Sequence, residues 1–210
     1  MNKKKLVTML TAVFLIAALG VGATLAAFTS KTEQLTNTFT VGDGVKAQLD
    51  EEVADDGDTT TETIPGGQTH PYEDIQPGDE LLKRPYMTII KNSTDCYAFM
   101  KVTGIDALEA SGTFEVTGFN TANWVQRSVD TAGGKDGIYA YVGAKGNAEH
   151  VILKDASNPI VLEELFKNVT YSIDATETES NLSAITIIGC AVQAANLTQD
   201  EALGEAVWTD

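Results

Sequence analysis

Basic residues are scarce in this chain of 210: fourteen Lys and Arg stand against thirty Asp and Glu, a net charge of −16 with the histidines neutral. So acidic a balance excludes nucleic acid as a partner, because phosphates need clustered Lys and Arg. It equally argues against a peripheral hold on anionic lipid. Histidine is nearly absent, with only His70 and His150. Without H-E-x-x-H there is no zincin-type centre. A site built from both histidines and a carboxylate such as Glu73 or Glu149 would need the fold to gather them. His70 stands before Pro71 in a polar stretch and His150 before a strand, where solvated histidines are ordinary, so no metal is expected. No G-x-S-x-G, Walker loop or dinucleotide fingerprint occurs either. Asp55-Asp56-Gly57-Asp58 lacks the spaced carboxylates and terminal Glu of an EF-hand loop and reads as a solvated acidic loop. The expectation is a protein with no cofactor and no catalytic residues, not an enzyme.

Long apolar runs are also rare, and the one that opens the chain organises the rest. Lys3, Lys4 and Lys5 precede an apolar segment from Leu6 to Leu19, which loosens at Gly20 and Gly22 and closes on Ala26 and Ala27. A positive stretch, an apolar stretch and small residues at the end make an export signal over residues 1–27, cut between Ala27 and Phe28. The competing reading is an uncleaved anchor, for which Leu6 to Ala27 is long enough. Contact with a membrane is expected only through this segment before the cut. Cleavage removes three lysines and no acid, so the mature balance becomes −19. Residues 28–210 then form one domain, secreted or held at the cell surface, and its charge keeps it soluble until screened.

Only two cysteines occur, Cys96 and Cys190, both in runs that read as central strands. Outside the cell they would pair if geometry allowed, and otherwise stay as two small buried thiols; both readings remain open here. Neither has a basic neighbour that would make it a nucleophile.

The mature chain is a series of short apolar runs between turns. Residues 29–38 are polar except for Leu35, after which Phe39, Val41, Val45, Ala47 and Leu49 recur as in a half-buried strand. From about 50 to 75 the chain is acidic and Pro-Gly-Gly-containing, and reads as a loop. Strands are expected over Leu81–Lys91, Cys96–Ile105, Phe114–Val116, Asn123–Gln126, Ile138–Val142, Val151–Leu153, Val169–Ile173 and Leu182–Ala195, with a helical turn at Leu162–Phe166. Thr198-Gln199-Asp200-Glu201 is a capping box that opens a short C-terminal helix. Many short strands without strand–helix alternation predict an all-β, antiparallel β-sandwich.

The run Gly22-Ala23-Thr24-Leu25-Ala26-Ala27-Phe28-Thr29-Ser30, followed by Asn37-Thr38-Phe39-Thr40-Val41-Gly42, resembles the exported proteins released by the SipW-type signal peptidase, the TasA and camelysin-like family of Gram-positive bacteria. Gln76-Pro77-Gly78-Asp79-Glu80, Lys91-Asn92-Ser93-Thr94 and the tail Ala191-Val192-Gln193-Ala194-Ala195-Asn196 to Trp208 are similar to later family features, although Val207 intrudes before Trp208. The resemblance implies a jelly-roll-like sandwich, a SipW-type peptidase as processing partner, and a subunit of biofilm-matrix or cell-surface fibres. An open sandwich has unpaired edges, and the arm from Phe28 to Val41 is long enough to lend a strand to a neighbouring copy. Leu35, Phe39 and Val41 lie at even spacing and share one face of an extended strand, so they are the candidate donor residues. The alternatives are a monomeric surface binding protein, whose arm completes its own sheet, and a camelysin-like metalloprotease.

Overall fold

The computed structural model describes residues 29–31, 44–55, 60–68, 72, 75–110, 112–174 and 184–208. These form the strands β1 Thr29–Lys31, β2 Ala47–Ala54, β3 Glu62–Pro65, β4 Glu80–Ile89 and β5 Cys96–Thr103, then helix α1 Ile105–Glu109. Strands β6 Phe114–Thr117, β7 Trp124–Val129, β8 Gly137–Tyr141, β9 Ile160–Val161, β10 Asn168–Tyr171 and β11 Thr186–Gln193 follow, and helix α2 Gln199–Glu205 closes the chain. The strands lie in two sheets, ordered β1-β11-β5-β8-β7 and β3-β2-β4-β10-β6, with β9 beside β4. Every pairing is antiparallel. The molecule is thus mostly antiparallel sheet with a short C-terminal helix, as the pattern of short runs predicts.

Alternation decides which faces are buried. Leu49, Met87 and Ile89 from the second sheet meet Ala98, Met100, Val102 and Trp124 from the first in one apolar cluster. β5 is buried on both faces from Cys96 to Met100. Its other face, with Tyr97 and Phe99, joins Ala140, Cys190, Val192 and Ala202 in a second cluster, against which Leu197, Leu203 and Trp208 pack. Helix α2 therefore covers the outer face of the first sheet. Its predicted capping box is present: Glu201 N–H donates to Thr198 Oγ1 at 3.3 Å and Thr198 N–H donates to Glu201 Oε2 at 2.8 Å. Gln199, buried, donates to Tyr141 O at 2.9 Å and accepts from Arg127 at 2.7 Å, which ties the helix to β8 and β7.

Three local expectations need correction. The acidic stretch read as a loop at about 50–75 contains the end of β2 and all of β3. Its carboxylates do not prevent a strand because β4 opposes them with cations: Glu51 meets Lys83 at 2.7 Å and Glu52 meets Arg84 at 3.2 Å. Leu162–Phe166 is not helical. Pro85 sits mid-strand in β4 without an N–H, and its carbonyl accepts from Leu165 N–H at 2.9 Å. Carbonyl and nitrogen of one strand residue point to the same edge, so the partner on that edge breaks between β9 and β10 over residues 162–167. Val151–Leu153 contributes only isolated bridges from Ile152 to Cys96 and Gly146.

Helix α1 was not predicted, because its cap lies elsewhere in the chain. Gly104 precedes it at φ 96°, and a Cβ there would stand 2.1 Å from Ala184 O, so glycine is required by both conformation and space. Asp136, in the β7–β8 loop, accepts from Gly104 N–H and Ile105 N–H, each at 2.9 Å. Asp106 returns the contact by accepting from Lys135 N–H at 2.6 Å. Two carboxylates thus clasp a helix and a hairpin together.

Candidate assembly interface

In an open two-sheet molecule the strand edges are where another chain can pair, and the edges of this one differ from each other. β7 has a bulge between Gln126 and Ser128, carries Arg127, and its Trp124 N–H already donates to Asn120 O at 2.9 Å. β3 is four residues long, starts at Glu62 and ends at Pro65, which has no N–H to offer. β6 is equally short and carries Glu115. Bulges, charges, proline and brevity are the devices that keep an edge from pairing.

β11 differs from all three. It is eight residues long, and β5 pairs with all eight on one side. Ile188, Cys190, Ala191 and Val192 are each no more than 3 % exposed. Ala191 belongs to the core between the sheets, while Cys190 and Val192 belong to the cluster beneath α2. From Ile188 to Val192 both faces of this strand are therefore covered. On its other side β1 pairs at three positions: Thr29 with Val192, Ser30 with Ala191 and Lys31 with Cys190. β1 is Thr-Ser-Lys, so it brings main-chain pairing and no apolar residue type to a largely apolar strand.

Of the residues singled out from sequence, Ala26, Ala27, Phe28, Leu35, Phe39 and Val41 lie outside the described residues, as do His70 and Glu73. β1 begins one residue beyond Phe28, where the mature chain is expected to start. Sequence reasoning placed the first strand at Phe39 and missed β1. Three polar residues give no period-two signal, and what makes them a strand is β11, from the far end of the chain.

Cys96 and Cys190 are not brought together. In the β5–β11 ladder Cys96 opposes Gln193 and Cys190 opposes Phe99, and the two thiols belong to the clusters on opposite faces of the sheet. Neither forms a disulfide, and a bridge would require the two strands to separate. Burial pushes the Cys96 thiol up to about 12; the charge of Asp95 adds to this and a hydrogen bond with Ser93 partly offsets it. His150 occupies the left-handed region at φ 64°. Among the described residues no group of three or more His, Cys, Asp or Glu side chains could hold a metal ion. Among them, too, no helix is long and apolar enough to cross a membrane.

The remaining polar clusters tie elements together. Trp124 Nε1–H donates to Glu163 O at 2.8 Å, and Tyr141 Oη donates to the Glu163 carboxylate. Burial first, then that hydrogen bond, raises the Tyr141 hydroxyl well above the ordinary tyrosine value. These contacts join β7 and β8 to the 162–167 segment. Comparison with protein-family models, curated proteins and solved structures finds no match to this chain.

Proposed function

We propose that this chain is an exported structural protein, a TasA-like subunit of extracellular fibres in a biofilm matrix or on a cell surface. On this reading residues 1–27 are removed by a SipW-type peptidase, and residues 28–210 are a jelly-roll-like β-sandwich that joins other copies by sharing strands. It acts without catalysis or cofactor. The observation that carries the proposal is the β11 edge: a long strand, buried on both faces, whose outer ladder is met by three polar residues. A strand with apolar residues every second position would bury more there, about 1.5–3 kcal/mol per side chain removed from water. Leu35, Phe39 and Val41 of a neighbouring copy are the residues suited to that task.

The test is assembly of purified residues 28–210 and 42–210, followed by electron microscopy, with circular dichroism to verify that both are folded. The longer chain should form fibres and the shorter should not. One observation favours a second reading: β1 sits on its own chain's β11, as expected of a monomeric surface binding protein whose arm completes its own sheet. On that reading residues 28–210 stay monomeric at every concentration.

A further inference from the structure

We infer that β1 is a self-cap, an exchangeable strand that closes the β11 edge of the newly processed monomer and has to leave before a neighbour's strand can replace it. The inference rests on the fibre-subunit reading and adds a control step to it.

Three features of the structure converge. The cap is short, engaging three of the eight β11 residues. Its residue types are polar while Cys190, Ala191 and Val192 opposite are fully buried, so main-chain pairing is what this sequence offers the edge. The other sheet edges described are blunted by a bulge, by proline or by charge, so β11 is the edge whose occupancy decides association. A cap tethered to its own chain competes at an effective concentration in the millimolar range, however weak its contacts. A separate copy therefore displaces it only when subunits are concentrated or when its strand buries more apolar surface. Such a cap keeps an aggregation-prone edge closed after processing and makes growth depend on subunit concentration.

The ladder itself supplies the test. Lys31 lies directly opposite Cys190, and directly opposed antiparallel residues have Cα atoms about 4.5–5.5 Å apart, inside the range a disulfide spans. Lys31→Cys, oxidised with glutathione disulfide at low protein concentration, should give a monomer lighter by two hydrogens than its reduced form. Cys96 does not compete, since it belongs to the cluster on the opposite face. The locked monomer should form fibres at least tenfold more slowly than the reduced variant, and dithiothreitol should restore the reduced rate. If locked and reduced forms grow at equal rates, the self-cap is overturned while the fibre reading stands. If the folded variant forms no disulfide within the monomer, β1 does not rest on its own β11 and the inference is equally overturned. If neither wild type nor reduced variant assembles, the fibre reading fails and the self-cap falls with it; a monomer that still locks separates this outcome from the previous one.

Discussion

At the scale of single residues, the two thiols and one glycine give the sharpest expectations. Cys96 and Cys190 are both fully buried, and burial holds the Cys96 thiol near 12, far above neutral pH. The nucleophile in thiol exchange is the thiolate. Native protein at pH 8 should therefore give almost no fast reaction with Ellman's reagent, whereas the protein in guanidinium should titrate two thiols per chain. A rapid single thiol in the native state would mean that one of the two clusters opens. Gly104 is constrained from two sides, by φ 96° and by the carbonyl of Ala184. Gly104→Ala should lower stability by at least about 1–3 kcal/mol, the range for strained backbone positions, read as a lower urea midpoint at unchanged slope. These effects belong to positions whose surroundings leave no room for adjustment.

At the scale of elements, the two helices show two ways of closing an N-terminus. For α2 the cap is local, and Thr198→Ala should cost about 1 kcal/mol. Glu201 completes that box, and the backbone N–H of Thr198, then its hydroxyl, hold the Glu201 carboxyl below the usual glutamate value. A carboxyl depressed in the folded state contributes stability that is fully present above its unfolded value. That contribution is lost as pH falls through the folded value, so the cap is intact at neutral pH and opens only in acid. Amide exchange at Thr198 and Glu201 should show this as protection that disappears on acidification, and Glu201→Gln should remove the step. For α1 the cap comes from Asp136, thirty-two positions from Gly104. Asp136→Ala leaves two partly buried N–H groups unpaired, which should cost about 1–3 kcal/mol. It should also raise amide exchange in the β7–β8 loop as well as in the helix, since the clasp is mutual; an effect confined to α1 would show the loop to be held by other contacts.

At the scale of the whole molecule, charge and edges act against each other. If residues 1–27 are removed as proposed, the subunit carries −19, and copies so charged should repel each other at low ionic strength, over a range that salt shortens. Raising salt from roughly 10 to 150 mM shortens the screening length from about 30 to 8 Å. The lag before fibres form, followed by light scattering, should shorten over this range, and a lag independent of salt would remove electrostatics from the control of assembly. On the proposed fibre reading, replacing Leu35 and Phe39 by Ser should leave a folded, soluble monomer, because the donor strand would then lack the apolar side chains proposed to favour it over β1. If that double variant polymerises at the wild-type rate, the donor lies elsewhere in the chain.

Much of this architecture could be read from residues in order. The apolar runs at Cys96–Met100 and Ile187–Val192 are central strands, and Trp124 is buried. The capping box at Thr198 opens a helix as expected. These features depend on neighbours a few positions away, so local pattern suffices. The sequence by itself therefore determined the strand-rich class, the core stripes, the C-terminal helix and the acidity that any partner must tolerate. Tertiary structure alone decided the rest. That Glu51 and Glu52 belong to a strand follows from Lys83 and Arg84 across the ladder. That the two cysteines face opposite clusters follows from the register of β5 on β11, and a slip of one residue would exchange every face. That Thr29–Lys31 is a strand at all follows from an edge built at the far end of the chain. Strand pairing is a contact between segments distant in sequence, and what a residue does in a sheet depends on what lies across from it, which its own neighbours do not encode.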